Sequence, residues 1–375
     1  MILRKLELKI EKLLHQQKAI LIIGARQVGK TTLLESIKKK YENVLWLNAD
    51  ETTTRNRLNN LSIESLKGVI GNYKMVIIDE IQRIENSGLL LKILVDQFKD
   101  VQFFATGSSA LEISDQIFEA LTGRAFTFHL YPFSLNELYP NLSPFELEQK
   151  LPFHLVYGSY PEVSLKKDFS EILLNNLTQQ YLYKDMLIWK DIRKPELLDK
   201  LLKLLAYQVG SEVSINELAK QLQTKSETIE NYINLLEKAY VVYRLKAYST
   251  NPRKEISKMN KIYFWDNGIR NAIIGDFNDL NQRNDQGLLF ENFIIGERKK
   301  QIEWNGWFKK CFFWRSYNQS EVDYIEIEGT NIKAFEIKWN STKKHKVSQA
   351  FVNLYPQAQT KIITPLNMME FINEY

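Results

Sequence analysis

Two short stretches carry residues whose types and spacing suit phosphate chemistry. Gly24, Ala25, Arg26, Gln27, Val28, Gly29, Lys30 and Thr31 spell G-x-x-x-x-G-K-T directly after the apolar run "AILII" and directly before a helical pattern. Two glycines let the backbone wrap a phosphate, and the amides of residues 25 to 31 form an anion nest at a helix N-terminus. Lys30 is placed to bridge the β- and γ-phosphates of ATP and Thr31 to bind magnesium, with Thr32 counted in the same loop. About fifty residues on, "KMVIIDE" ends an apolar strand in two acids. Asp79 then holds the magnesium through water, and Glu80 polarises the attacking water. Paired acids at this point favour ATP hydrolysis over transfer to a small-molecule hydroxyl.

The strand "VQFFATGSS" brings hydroxyls of Thr106 and Ser108 to the same height. They read either as reporters of γ-phosphate loss or as an ordinary polar strand end. Arg124, in "LTGR", reads either as an arginine finger, acting in cis or toward a neighbouring subunit, or as a surface residue near the sheet edge.

A third group lies near the C-terminus, in "EVDYIEIEGTNIKAFEIKW". Residues two apart share a strand face, so Glu336 and Lys338 point the same way, and a turn at Gly329 folds Asp323 toward Glu336. Glu291, on the helical segment "LLFENFIIGE", could add a fourth group. Mg²⁺ held by Glu291, Asp323 and Glu336 would offset their repulsion and acidify a bound water, with Lys338 orienting it, as in a metal-dependent nuclease. The competing account is a solvated face of alternating Glu and Lys.

The elements that must position these residues change character along the chain. Five apolar runs within the first 130 residues, separated by helix-length connections, predict a mostly parallel α/β sheet over 1–135. Prolines 140, 144, 152 and 161 punctuate a helical lid or connector expected over 136–202. Over 203–260 the order is helix, helix, polar turn "QTKS", helix, then strand, with Ser214 and Glu217 as a capping box and Ile229, Ile233 and Leu236 on one stripe. That order predicts a winged helix-turn-helix. Its third helix carries Glu227, Glu230 and Glu237 against Lys238 alone, which argues against groove reading by that helix. The wing side offers Arg244, Lys246, Arg253, Lys254, Lys258 and Lys261, and residues 186–260 hold 13 Lys and Arg against 9 Asp and Glu. Those cations suit either a solvated face or DNA backbone contact. A last α/β unit is expected over 261–375.

Across 375 residues there is one cysteine, Cys311, so no intrachain disulfide forms and a reducing, cytoplasmic setting is expected. His15, His129, His154 and His345 make no zinc pattern. The first 18 residues read as an amphipathic helix rather than a signal peptide, and no apolar run reaches the ~20 residues of a membrane span. A net charge of +5 permits nucleic acid without implying it.

Together "IIGARQVGKTTLL", "VIIDEIQ", "LTGRAFTFHLYPFSLNEL", "YGSYPEV", "KIYFWDNGIRN", "LLFENFI" and the C-terminal hairpin resemble a family of bacterial and archaeal AAA-superfamily ATPases. In that family a P-loop domain precedes a winged helix and a domain similar to the PD-(D/E)XK nucleases. The resemblance implies ATP and Mg²⁺ as cofactors, and the nuclease-like signature on Glu291, Asp323, Glu336 and Lys338. It also implies DNA as a partner through the last two domains or, alternatively, a nucleotide-operated switch that binds a protein. Ala25 stands where a proline is usual and Ser159 where a second glycine is usual.

Overall fold

The computed structural model describes residues 2–107, 119–179, 194–249, 260–316, 318–342 and 345–374. Two compact units result, Met1–Tyr131 with Lys238–Tyr240, and Pro132–Glu237 with Val241–Tyr375.

The first unit is built on five parallel strands: β1 (Ala19–Ile23), β2 (Val44–Asn48), β3 (Met75–Asp79), β4 (Gln102–Gly107) and β5 (Ala125–His129), in the order β2-β3-β4-β1-β5. The three central strands are the unbroken apolar runs and are buried throughout, whereas the edge strands β2 and β5 are only half-buried. A strand covered by helices on both faces needs apolar side chains along its length, and the sequence supplies them apart from Gln102 and the polar strand ends at Asp79 and Thr106. Leu21, Ile23, Val76, Ile78, Phe103 and Ala105 share one core with Leu90, Leu91 and Leu94 of the helix Ser87–Gln97.

Register then sets the height of the polar strand ends. Ile22 lies opposite Thr106 and Ile78 opposite Ala105, so Thr106 comes level with Asp79 at the edge where β1 gives way to the glycine loop. Above β1, Leu130 donates its amide to the Ile23 carbonyl at 2.7 Å. A Cβ on Gly24 would stand 2.1 Å from the Leu130 carbonyl oxygen, so only glycine fits there.

The second unit opens with helices Leu135–Leu138 and Pro144–Tyr157, each started by a complete capping box, Ser134 with Glu137 and Ser143 with Glu146. After the helix Pro195–Tyr207, β6 (Glu212–Val213) leads to helices Ile215–Gln221 and Ser226–Lys238. The Ser214 hydroxyl accepts from the Glu217 amide, and Ile229, Ile233 and Leu236 are fully buried as the stripe requires.

The strands β7 (Val242–Ala247), β8 (Asn260–Phe264), β9 (Lys310–Arg315), β10 (Glu321–Glu328), β11 (Asn331–Ile337) and β12 (Gln359–Ile363) join β6 in one seven-stranded sheet, ordered β12-β11-β10-β9-β7-β8-β6. Parallel pairing of β7 with β9, at Lys246–Phe312 and Ala247–Phe313, carries the sheet across the junction expected near residue 260. Among the described residues no helix is long and apolar enough to cross a membrane.

Replacing Gly24 with Ala drives a methyl into a backbone oxygen that cannot rotate away. The expected cost is about 1–3 kcal/mol of stability in the first unit, the range for overpacking. Chemical denaturation of the full chain checks it, and a stability equal to wild type would contradict the close approach.

Candidate functional site

The loop after β1 and the ends of β3 and β4 converge on one carboxylate. Asp79, at the end of β3 and 6% exposed, accepts from the Thr31 hydroxyl at 3.1 Å through Oδ2 and from the Thr106 hydroxyl through Oδ1. The Thr106 oxygen also accepts the backbone N–H of Glu80 at 3.1 Å. Thr31 stands in the first turn of the helix Lys30–Lys38, and Gly29 before it takes φ +94°, a conformation glycine adopts without strain. Lys30 is buried with its ammonium on the carbonyls of Gly24, at 2.9 Å, and Ala25, at 2.8 Å. A cation, a hydroxyl and an acid thus face one loop, and the oxygen donors of Thr31 and Asp79 are the hard type that suits Mg²⁺.

The remaining residues expected here divide by position. Thr106 is in place. Ser108 falls outside the described residues. Arg124 immediately precedes β5, and since β5 runs parallel to β1 with Ala125 opposite Ala19, it lies at the edge away from the glycine loop. The intervening five-residue strand spans about 16 Å. Its guanidinium Nε donates to both oxygens of Asp96, at 2.9 and 3.1 Å, and this hydrogen bond first, with the nearby charge, holds the Asp96 carboxyl below its ordinary range. A cis arginine finger is therefore corrected by strand direction.

The C-terminal acids do meet. Pairing of Tyr324 with Phe335 brings Asp323 beside Glu336, and the Lys338 ammonium bridges them, 2.8 Å from each. The Ile337 amide also donates to Asp323 at 2.8 Å. Glu291, on the helix Gln286–Asn305, accepts from the Tyr263 hydroxyl at 2.7 Å and pairs with Lys261 at 3.3 Å. Lys261 also pairs with Glu321 and is 1% exposed. Burial works against its charge, yet Glu291, Glu321 and Asp323 together outweigh burial and raise its pKa.

Tyr263 on β8 escaped the sequence reading, and Lys261 was expected there only as a wing-side cation, because both reach Glu291 only through the fold. Among the described residues no three acids, histidines or cysteines form a group that could hold a metal ion. Two lysines already supply positive charge to these four carboxylates. The donor set of Glu291, Asp323 and Glu336 does not fit a metal in this arrangement.

Two of the six basic residues expected on the wing side are spent internally. Lys261 is buried as described, and Arg244 pairs with Glu230 at 3.0 Å and Glu237 at 3.3 Å on the preceding helix. Arg253, Lys254 and Lys258 lie outside the described residues. Lys246 is exposed.

Other motif residues serve a buried polar network. Asp266 accepts the Ser159 amide at 2.7 Å, Asn271 donates to the carbonyls of Leu155 and Val156, and Asn292 donates to that of Phe264. Gly158 takes φ +70°, and a Cβ there would stand 2.0 Å from Asp266 Oδ1. "YGSYPEV", "FWDNGIRN" and "LLFEN" are thus tied to each other by their polar side chains.

These acids give the second unit a signed pH dependence. Glu336 is pushed up to about 8 by burial and then by Asp323, and Glu291 to about 7 by burial, only partly opposed by Lys261. Both bind protons more tightly folded than unfolded. Their contribution is full below the ordinary value of 4.5 and is lost as pH rises through 7 and 8. Buried His154 moves the other way, down to about 4, but matters only below its ordinary 6.5. Between pH 6.5 and 8.5 calorimetry should show the second unit losing stability as pH rises, by at most about 1.4 kcal/mol per pH unit per group. Glu336→Gln should flatten that slope, and a wild-type transition independent of pH in this window would contradict the assignment.

Residues 16–139 match the family model of an AAA domain, while 148–280 and 286–370 match two models of domains of unknown function. An uncharacterised protein of Mycobacterium tuberculosis is 26% identical over 342 residues, covering 89% of this chain and 73% of its own length. An uncharacterised protein of Methanocaldococcus jannaschii is 28% identical over 318 residues, covering 71% and 64%. The Walker-type ATPase of Pyrococcus abyssi superposes with a TM-score of 0.52 at 16% identity, over 73% of this chain and 96% of that one, a likeness of fold. Residues 16–139, which hold the glycine loop, Asp79 and Thr106, are thus similar to an AAA domain.

Proposed function

We propose that this protein is a Mg²⁺-dependent ATP hydrolase whose nucleotide state controls a second unit made of a winged helix and a nuclease-like fold. The observation that carries the reading is the Asp79 carboxylate held jointly by Thr31 and Thr106 beside the buried ammonium of Lys30. Residues 24–32 take the phosphates on their amides. Lys30 exchanges the Gly24 and Ala25 carbonyls for β- and γ-phosphate oxygens. Thr31 and Asp79 would hold Mg²⁺, which neutralises phosphate charge when bound. Glu80 orients and deprotonates the attacking water, and Thr106, bonded to both Asp79 and the Glu80 amide, reports the state of the γ-phosphate. Arg124 keeps a role only toward a neighbouring subunit, which would have to draw it from Asp96.

The second unit admits two readings. In the first it binds DNA through the wing and cuts it at Asp323, Glu336 and Lys338. In the second it is a non-catalytic fold that binds a protein partner, and the chain is a nucleotide-operated switch in the cytoplasm. The lysines favour the second, because Lys338 between Asp323 and Glu336, and Lys261 between Glu291 and Glu321, already supply the positive charge a metal would bring. The helix order and the hairpin support the winged-helix and nuclease-like folds under either reading.

Lys30→Ala should lower phosphate release at least about 100-fold, a loss of roughly 2.7 kcal/mol of transition-state stabilisation. Undiminished release would sink the hydrolase reading. Plasmid and single-stranded DNA incubated with Mg²⁺ or Mn²⁺ should stay intact with wild type and with Asp323→Ala alike. Cleavage by wild type that is lost in Asp323→Ala would restore the nuclease. DNA affinity should be weak and insensitive to salt, whereas a steep decline with salt would mark phosphate contacts.

A further inference from the structure

The base assigned to hydrolysis is held by its own loop. Glu80 takes φ 56° and ψ 47°, a left-handed conformation that side-chain-bearing residues seldom adopt. Its N–H is fixed on Thr106, and its carbonyl accepts the Arg83 amide at 3.0 Å. With the main chain tied at both ends, Glu80 keeps freedom only in its side chain. Gln82 removes that freedom by donating its amide Nε2 to Glu80 Oε2. Gln82 sits in the single turn Ile81–Arg83, and the Arg83 guanidinium reaches Asp50, beyond β2, at 3.3 Å.

We propose that Gln82 is a positioning residue that restrains Glu80 and holds basal turnover down until the Ile81–Arg83 turn moves. The proposal rests on reading Glu80 as the base. In hydrolysis the water oxygen bonds to the γ-phosphorus as the bond from that phosphorus to the β-γ bridging oxygen breaks. ADP leaves with that electron pair, and one water proton passes to the Glu80 carboxylate. The bonded carboxylate oxygen of Glu80 is held in place by the Gln82 amide. It is also directed at its own loop rather than at a substrate water. The arrangement suits an enzyme that should not spend ATP before a signal arrives, and the Arg83 contact to Asp50 makes the turn after β2 the place from which release would come.

The test uses the full chain with ATP and Mg²⁺. Steady-state rates over ATP concentration are measured for wild type, Gln82→Ala and Gln82→Met, the last keeping side-chain length without a donor. ATP binding is measured separately by calorimetry. Both variants should raise kcat about 3- to 10-fold, the worth of one net hydrogen bond, with KM for ATP unchanged within about twofold. An unchanged or lower kcat in both variants, with wild type active, would overturn the restraint. Silence in all three proteins, or absence of ATP binding by wild type, would instead overturn the hydrolase reading, so the two failures are told apart.

Discussion

The first unit depends on one carboxylate being shared. Asp79 is almost fully buried, and a buried acid needs partners for both oxygens. The hydroxyls of Thr31 and Thr106 are those partners, and they come from two elements that could otherwise move independently, the helix after the glycine loop and the strand β4. Sheet order makes the meeting possible. With β4 between β1 and β3, its polar end lies between the glycine loop and the acid, and Thr106 ties Asp79 to the Glu80 backbone. Gly24 belongs to the same constraint, since its missing Cβ lets Leu130 close over the strand end.

The second unit solves the opposite problem. It gathers four carboxylates, Glu291, Glu321, Asp323 and Glu336, and tempers their repulsion with lysines from its own chain. A site of this kind is partly neutralised in place, and a metal ion would have to displace an ammonium from between two acids. Cation and acid pairs at such depth rarely add much stability over an apolar replacement, but losing one partner is costly because the other stays buried and charged. The polar network joining Asp266, Asn271 and Asn292 to backbone groups shares that character: each member is satisfied, and removing one strands the rest.

Much of the first unit was legible in the sequence because its signals are local. The glycine loop lies between a strand and a helix, "VIIDE" ends in its acids, and the apolar runs distinguish buried strands from edges. Arg124 shows where local signals stop: a residue just before a parallel strand lies at the edge opposite the loop, and only the strand's direction says so. The hairpin register was equally readable, since period two and one glycine turn fix Asp323 against Glu336. Lys261 and Tyr263 were not, because they approach Glu291 from thirty and twenty-eight positions away across a sheet-helix contact. Continuity of the sheet from β7 to β9 was hidden for the same reason, as pairing between distant strands leaves no periodic trace in either.

The most direct test of the central claim is the identity of nucleotide held by the Glu80→Gln protein. After incubation with ATP and Mg²⁺ and rapid desalting, bound nucleotide is extracted and separated by chromatography. The account predicts near-stoichiometric intact ATP in Glu80→Gln and ADP in wild type, because the Lys30, Thr31 and Asp79 cradle survives while the base is lost. ADP in both proteins, or no nucleotide in either, would contradict it.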